Sequence, residues 1–242
     1  MKAKGLGCAM MGLMAAFGLF LIKALLAPGE EKVAMTAAAH PTRGTAVYML
    51  LDTSGSMADS TANAQGGEGG REGKLAVAKR AAIAACRQIA KYGEEDKTRN
   101  IQLAIASFND QVHPLLPMGK PDVAAAERAI NGMRTGGDTA IGRAVVQAQQ
   151  SLDRTGLTGQ HILLVTDGEN TTGVSPDRVA KAFNILPEGL RPMTYVVAFD
   201  VNAHVFDGVK SQGWQVFSAA NGKELEQRLD EVVGGHILLE KF

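Results

Sequence analysis

The chain has 242 residues, of which 45% are hydrophobic and 21% are charged, a composition typical of a globular protein. Its 25 Lys and Arg residues balance its 25 Asp and Glu residues, so no net positive charge points to nucleic acid as a partner. The two cysteines, Cys8 and Cys86, lie in different kinds of segment, and we expect neither a disulfide framework nor a cysteine-based metal site. The function must therefore depend on a local site.

The first part of the chain is apolar and long enough to cross a membrane. Lys2 and Lys4 precede an uncharged stretch over residues 5–22, and a helix needs about 20 apolar residues to span a bilayer. The segment is either a signal peptide or an uncleaved anchor, and no good cleavage site follows the apolar run. We therefore predict one transmembrane anchor over residues 1–27 and a linker over residues 28–44.

The charges around this segment predict its orientation. The N-terminal lysines favour a cytoplasmic N-terminus, although Lys23, Lys32 and Arg43 on the other side weaken that bias. The remainder of the chain would then lie in the periplasm or outside the cell. We expect a single-pass protein of the inner (cytoplasmic) membrane.

From Thr45 onward, apolar segments alternate with segments of helical periodicity. This alternation predicts an α/β domain over residues 45–235, doubly wound and Rossmann-like, with a mainly parallel central sheet and helices on both faces. The strands are apolar throughout, as expected of strands that are covered on both faces. Strands are predicted at residues 45–52, 101–108, 111–117, 161–168, 193–200 and 214–219, and helices at residues 73–93, 121–133, 140–156, 175–186, 203–213 and 222–235.

Two segments fit neither pattern. Residues 58–74 are polar and rich in glycine, which predicts a loop inserted before the first long helix. That loop could overhang the residues just before it, or it could be a solvated insertion without a role. The C-terminal tail over residues 236–242 is apolar, and it either packs on the domain or contacts a partner.

Two of the predicted strands end in an aspartate, Asp52 and Asp167. Ligands of open parallel sheets bind beyond the carboxyl ends of the strands, where the strand order reverses, so both carboxylates are expected at one crevice. Ser54 and Ser56 follow Asp52 at alternate positions. Taken alone, these serines are equally typical of a polar turn.

A third segment adds another oxygen. Two glycines precede Asp138 and Thr139 at the start of a predicted helix, where Thr139 can present its hydroxyl to a ligand. The candidate donors are all hard oxygens, which suit Mg²⁺, Mn²⁺ or Ca²⁺ and not zinc or copper. Because several donors are neutral, a bound ion would keep a net positive charge and attract an acidic group from another protein. The candidate metal ligands are Asp52, Ser54, Ser56, Thr139 and Asp167.

These three segments resemble the metal-ion-dependent adhesion site of von Willebrand factor type A domains. The matching patterns are D-T-S-G-S after an apolar strand, G-G-x-T opening a helix, and T-D-G after a later strand. The resemblance extends from about Thr45 to Val233 and implies an intact adhesion site made of the five candidate ligands, in a membrane-anchored protein of the bacterial type. The segment 58–74 departs from the family pattern, in which the first helix more often follows the serines closely.

The resemblance and the oxygen donors together imply a non-enzymatic binding module, tethered to the membrane. It would grip an acidic side chain of a protein partner through a divalent metal, in a membrane-protein complex or an oligomer, without nucleic acid.

Two alternatives stay open. One is a Mg²⁺-dependent phosphoryl-transfer enzyme with Asp52 as the nucleophile, although the sequence shows no second acid two residues later, no obvious catalytic lysine and no P-loop. The other is a scaffold subunit with a vestigial metal site.

Overall fold

The computed structural model describes residues 42–62 and 71–239. The predicted anchor over residues 1–27 and most of the predicted linker lie outside these residues. Within residues 42–62 and 71–239, no helix is both long enough and apolar enough to cross a membrane.

A six-stranded sheet forms the centre of the domain, and its neighbouring strands are parallel except for one antiparallel pair at an edge. The strands in chain order are β1 (Thr42–Asp52), β2 (Ser60–Ala62), β3 (Arg71–Gly73), β4 (Ile101–Phe108), β5 (Val112–Gly119), β6 (Leu157–Thr166), β7 (Met193–Phe199) and β8 (Gln215–Ala219). The sheet has the order β5-β4-β1-β6-β7-β8, and β2 and β3 form a separate hairpin. Among the described residues, the antiparallel strand of this sheet is β5, which pairs with β4, and the other neighbouring strands are parallel. The prediction of a mainly parallel sheet is confirmed.

Helices cover both faces of this sheet, as the sequence predicts. They are α1 (Lys74–Glu95), α2 (Val123–Asn131), α3 (Ile141–Asp153), α4 (Pro176–Ile185), α5 (Asp207–Ser211) and α6 (Gly222–Asp230), with 3-10 turns at Gly55–Ala58, Glu188–Leu190 and Ala203–Phe206 and a π-helical segment at Glu231–Ile237. One hydrophobic cluster packs the sheet against α1, α2 and α6, and a second packs its other face against α3, α4 and α5.

The central strand β1 shows why its sequence is apolar throughout. Alternate residues of a strand point to opposite faces, and Met49 belongs to one hydrophobic cluster while Leu50 belongs to the other. Both side chains are fully buried. β1 begins at Thr42 and not at Thr45 as predicted, because Thr42 already pairs with Leu157 of β6.

The strand order reverses beside β1. From β1 the sheet grows through β4 and β5 on one side and through β6, β7 and β8 on the other. The carboxyl ends of β1 and β6 therefore lie side by side at the point where ligands of such sheets bind. This topology places Asp52, the last residue of β1, next to Asp167, which directly follows β6.

The two segments that fitted no pattern are partly ordered into regular structure. The ends of segment 58–74 form the β2–β3 hairpin, in which Ser60 pairs with Gly73. Lys74, the last residue of the predicted loop, is instead the first residue of α1.

The predicted tail packs on the domain as far as Leu238, whereas Leu239 is exposed. The helical segment continues to Ile237, and Ile237 and Leu238 are buried in the hydrophobic cluster of α1. Packing is therefore the interpretation that holds for residues 236–238.

α3 begins in tight contact with the loop that follows β6. A Cβ atom on Gly142 would lie 2.0 Å from the carbonyl oxygen of Val174, a distance at which the backbone must move. The N–H of Gly142 also donates to Oδ1 of Asn170 at 3.2 Å. This glycine lets the helix start close to the predicted metal site.

Replacing this glycine is expected to destabilise the domain. Gly→Ala in a helix normally stabilises it by about 0.5–1 kcal/mol, but Gly142→Ala should lower the free energy of unfolding by about 1–3 kcal/mol through overpacking. The control is Gly93→Ala in α1, where the nearest atom is at 3.7 Å. Urea denaturation measures both variants, and equal or favourable effects of the two would contradict the packing described.

Candidate metal site

Asp52 is buried at the end of β1, and both oxygens of its carboxylate are held. Asp52 is only 1% exposed. Its Oδ1 accepts the N–H of Ser54 at 2.7 Å, and its Oδ2 accepts the hydroxyl of Thr166. Burial raises the pKa of Asp52 to about 6, although the hydrogen bonds from Thr166 and Ser54 lower it.

A chain of hydroxyl groups connects the two predicted strand ends. Oγ of Ser54 lies 3.2 Å from Oγ of Ser56, and the hydroxyl of Ser56 donates to Oδ1 of Asp167 at 2.7 Å. The 3-10 turn at Gly55–Ala58 sets this spacing, because its buried Met57 fixes the turn against the core. Ser54 and Ser56, whose sequence is equally typical of a polar turn, therefore do lie at a turn, and this turn presents their oxygens towards Asp167.

The loop before α3 is tied to the first motif by backbone hydrogen bonds. Gly136 donates to the carbonyl of Thr53 at 2.8 Å, and Gly55 donates to the carbonyl of Gly137 at 3.0 Å. Gly137 has a φ of +79°, a left-handed conformation that favours glycine. The glycine pair thus holds the loop against the serine turn.

Thr139 reaches the same small volume as Ser56. A Cβ atom built on Gly168 would lie 3.7 Å from Oγ of Ser56 and 3.8 Å from Oγ1 of Thr139. Thr139 is buried, and within residues 42–62 and 71–239 no side chain or backbone group is hydrogen-bonded to its hydroxyl. The structure therefore brings together all five candidate ligands, Asp52, Ser54, Ser56, Thr139 and Asp167, and leaves the Thr139 oxygen available to a ligand.

Sequence reasoning missed a cation at this site. Nζ of Lys74 lies 3.0 Å from Oδ2 of Asp167 and 3.4 Å from Oδ2 of Asp200. Lys74 is only 8% exposed. Burial acts to lower the pKa of Lys74, but the hydrogen bonds and charges of Asp167 and Asp200 outweigh it and raise the pKa, so the ammonium stays charged.

Two further residues were missed, and one of them had a signal. Thr166, the residue before Asp167, orients Asp52. Asp200 follows the apolar strand β7 just as Asp167 follows β6, and this third strand end in aspartate was visible in the sequence. Lys74 had no comparable signal, because its position depends on how the hairpin before it folds.

The donor set fits a hard divalent cation. Two carboxylates and three hydroxyls converge, which are ligands that Mg²⁺, Mn²⁺ and Ca²⁺ accept. Among the described residues, no three or more His, Cys, Asp or Glu side chains are arranged to hold a metal, so hydroxyls and water would have to complete the coordination. The ammonium of Lys74 on Asp167 shows that positive charge is favourable at this position.

A family model for the von Willebrand factor type A domain matches residues 47–169, just over half of the 242 residues. The chain belongs to the von Willebrand factor type A domain family. The matched stretch includes Lys74 and all five candidate ligands, whereas β7 and β8 follow it. No curated protein matches the chain at a significant level.

Solved structures share the fold at low sequence identity. A von Willebrand factor type A protein from Catenulispora acidiphila has a TM-score of 0.60 at 18% identity, covering 79% of this chain and 42% of that one. BatB from Bacteroides thetaiotaomicron has a TM-score of 0.59 at 18% identity, with 79% and 98% covered. The vWF domain of the type V pili tip protein Mfa5 from Porphyromonas gingivalis has a TM-score of 0.61 at 14% identity, with 83% and 98% covered. This chain spans less than half the length of the Catenulispora chain.

The buried Asp52 predicts a pH dependence of the metal-free domain. In chelator, the ¹³C carboxyl signal of Asp52 should titrate near pH 6 and not near its ordinary 3.8. Between these values the folded state binds more protons than the unfolded state, so the free energy of unfolding falls as pH rises through this window. Asp52→Asn assigns the signal, and added Mg²⁺ should lower the midpoint. A midpoint near 3.8 in chelator would contradict the burial described.

Proposed function

We propose that this domain is a non-enzymatic binding module that holds a divalent metal and, through it, grips an acidic side chain of a protein partner. Its family is one of protein-interaction modules. The observation that carries the proposal is the hydrogen-bonded set that runs from Asp52 through the N–H of Ser54 and the hydroxyls of Ser54 and Ser56 to Asp167, with the Thr139 hydroxyl beside it. The set lies at the strand switch point, where such sheets bind ligands.

Each residue has a defined task in this proposal. Asp52 and Asp167 supply negative charge, directly or through water, and Ser54, Ser56 and Thr139 supply neutral oxygens. The N–H of Ser54 and the hydroxyl of Thr166 hold the Asp52 carboxylate in one orientation. When bound, Mg²⁺ or Mn²⁺ would offer an open coordination position to a partner carboxylate, since the three hydroxyls add no charge and the two site carboxylates only balance the charge of the ion.

The structure disfavours the phosphoryl-transfer alternative. The sequence shows no obvious catalytic lysine, and the structure places one lysine, Lys74, on Asp167. An attacking carboxylate needs an oxygen that a phosphate ester can reach, whereas Asp52 is 1% exposed and both of its oxygens accept hydrogen bonds. This burial and these hydrogen bonds support the proposal that Asp52 positions a cation over attack on a phosphate ester.

The proposal extends to the cellular setting. With an anchor over residues 1–27, the domain would be tethered to the inner membrane and face the periplasm or the cell exterior, within a membrane-protein complex or an oligomer. Support for this part comes from the apolar N-terminal sequence alone.

Metal binding is the first test. Isothermal titration of the full chain with Mg²⁺ and Mn²⁺ should give binding that Asp52→Ala abolishes. Thr139→Val should weaken binding by about tenfold, the loss of one ligand oxygen, and should leave the metal-free stability nearly unchanged because that hydroxyl has no partner among the described residues.

The control for these variants is Asp207→Ala. It removes an exposed carboxylate at the start of α5, which pairs with His204 and with none of the five candidate ligands. It should bind metal as the wild type does. Absence of binding by the wild type, or unchanged binding by Asp52→Ala, would contradict the proposal.

Partner capture tests the second half of the proposal. Crosslinking pulldown with the full chain should recover a partner that is lost in chelator and in Asp167→Ala, and that Mg²⁺ restores only for the wild type. Capture that survives both chelator and Asp167→Ala would favour the scaffold alternative with a vestigial metal site.

A further inference from the structure

Lys74 places an ammonium group on the carboxylate that the proposed metal needs. Asp167 uses Oδ1 to accept the hydroxyl of Ser56 and Oδ2 to accept Nζ of Lys74. Both oxygens of Asp167 are thus engaged before any metal arrives. The side chain of Asp167 is fully buried and that of Lys74 is 10% exposed, so this ion pair is shielded from water.

The backbone of Lys74 is fixed, which limits any movement to its side chain. Lys74 starts α1 directly after the β2–β3 hairpin, and its N–H donates to the carbonyl of Asp59 at 2.8 Å. Asp59 in turn directly follows the 3-10 turn that carries Ser56. The lysine side chain therefore enters the site from backbone that is hydrogen-bonded to the residue after the serine turn.

Asp200 offers the ammonium a second position. Its Oδ2 lies 3.4 Å from Nζ of Lys74, and its side chain is 37% exposed, unlike that of Asp167. Its backbone has a φ of +53°, in the left-handed region that aspartate tolerates better than most residues, and its N–H donates to the carbonyl of Ala219 at 2.7 Å. A lysine has a flexible four-carbon stem, so Nζ can move fully onto Asp200 without a change in the backbone.

We propose that Lys74 is an internal cation that competes with the divalent metal for Asp167 and so sets the metal affinity of the site, with Asp200 receiving the ammonium when the metal binds. This inference rests on the proposed metal-dependent function. A divalent ion and an ammonium on the same buried carboxylate repel each other strongly in a site of low dielectric. The metal must therefore displace Lys74, and the displacement weakens binding.

A purely structural ion pair makes the opposite prediction. If Lys74 only holds Asp167 in place, its removal leaves Asp167 misoriented, and metal binding stays the same or becomes weaker. If Lys74 competes, its removal frees Oδ2 of Asp167, and metal binding becomes tighter. The direction of the change in affinity separates the two roles.

Isothermal titration with Mn²⁺ and with Mg²⁺ on the full chain tests the proposal. Lys74→Met should bind each ion with an affinity at least about tenfold higher than that of the wild type. The matched control is Lys79→Met on the same helix, whose Nζ donates to the carbonyls of Asn131 and Met133 and touches no acid of the site. It removes the same charge from the chain and should bind as the wild type does. Lys74→Gln serves as a second variant if Lys74→Met does not fold.

A double-mutant cycle tests the role of Asp200. Asp200→Asn should weaken Mn²⁺ binding several-fold in the wild type, because the displaced ammonium loses its second position, and should have no effect in the Lys74→Met background. An equal loss in both backgrounds would overturn this role, since Asp200 would then act on the metal directly.

The remaining outcomes distinguish this proposal from the proposed function. Unchanged or weaker binding by Lys74→Met and Lys74→Gln, with wild-type binding intact, overturns the competition and leaves metal dependence standing. Binding by Lys74→Met but not by the wild type supports the competition for Asp167 and contradicts the metal-dependent function proposed for the wild-type chain. Absence of binding by all variants, including Lys79→Met, overturns both.

Discussion

The parallel pairing of β1 with β6 is the constraint on which the rest of the site depends. Leu51 pairs with Val165, so Asp52 and Thr166 come next to each other at the end of the ladder. From there the Thr166 hydroxyl reaches Asp52, and Asp167 lies one residue beyond, facing the serine turn. A shift of one residue in this register would turn these side chains to the other face of the sheet.

Charge is the second determinant of the site. Two carboxylates are buried at one crevice, and unpaired buried charge is strongly unfavourable. Hydrogen bonds from Ser54 and Thr166 stabilise Asp52, and the ammonium of Lys74 compensates Asp167. The same negative charge that requires compensation favours binding of a divalent cation. The ammonium of Lys74 and a bound metal would therefore compete for the carboxylate of Asp167.

The sequence was most informative where function depends on local pattern. Asp52, Ser54, Ser56 and Thr139 follow apolar runs or glycines at fixed spacing, and the alternation of strands and helices brought Asp167 to the same edge. Lys74 could not be placed in this way, because a hairpin between the serine turn and α1 determines where its side chain enters. The anchor over residues 1–27 stays a prediction, since those residues lie outside the described ranges.

The most direct measurement is the anomalous diffraction signal of Mn²⁺ in crystals of the protein grown with and without the metal. We expect one peak in coordinating contact with Ser56, Thr139 or Asp167, together with an ammonium of Lys74 that has left Asp167 for Asp200. An anomalous map without a peak among these residues at saturating Mn²⁺, with Lys74 still on Asp167, would contradict a metal-dependent function for this domain.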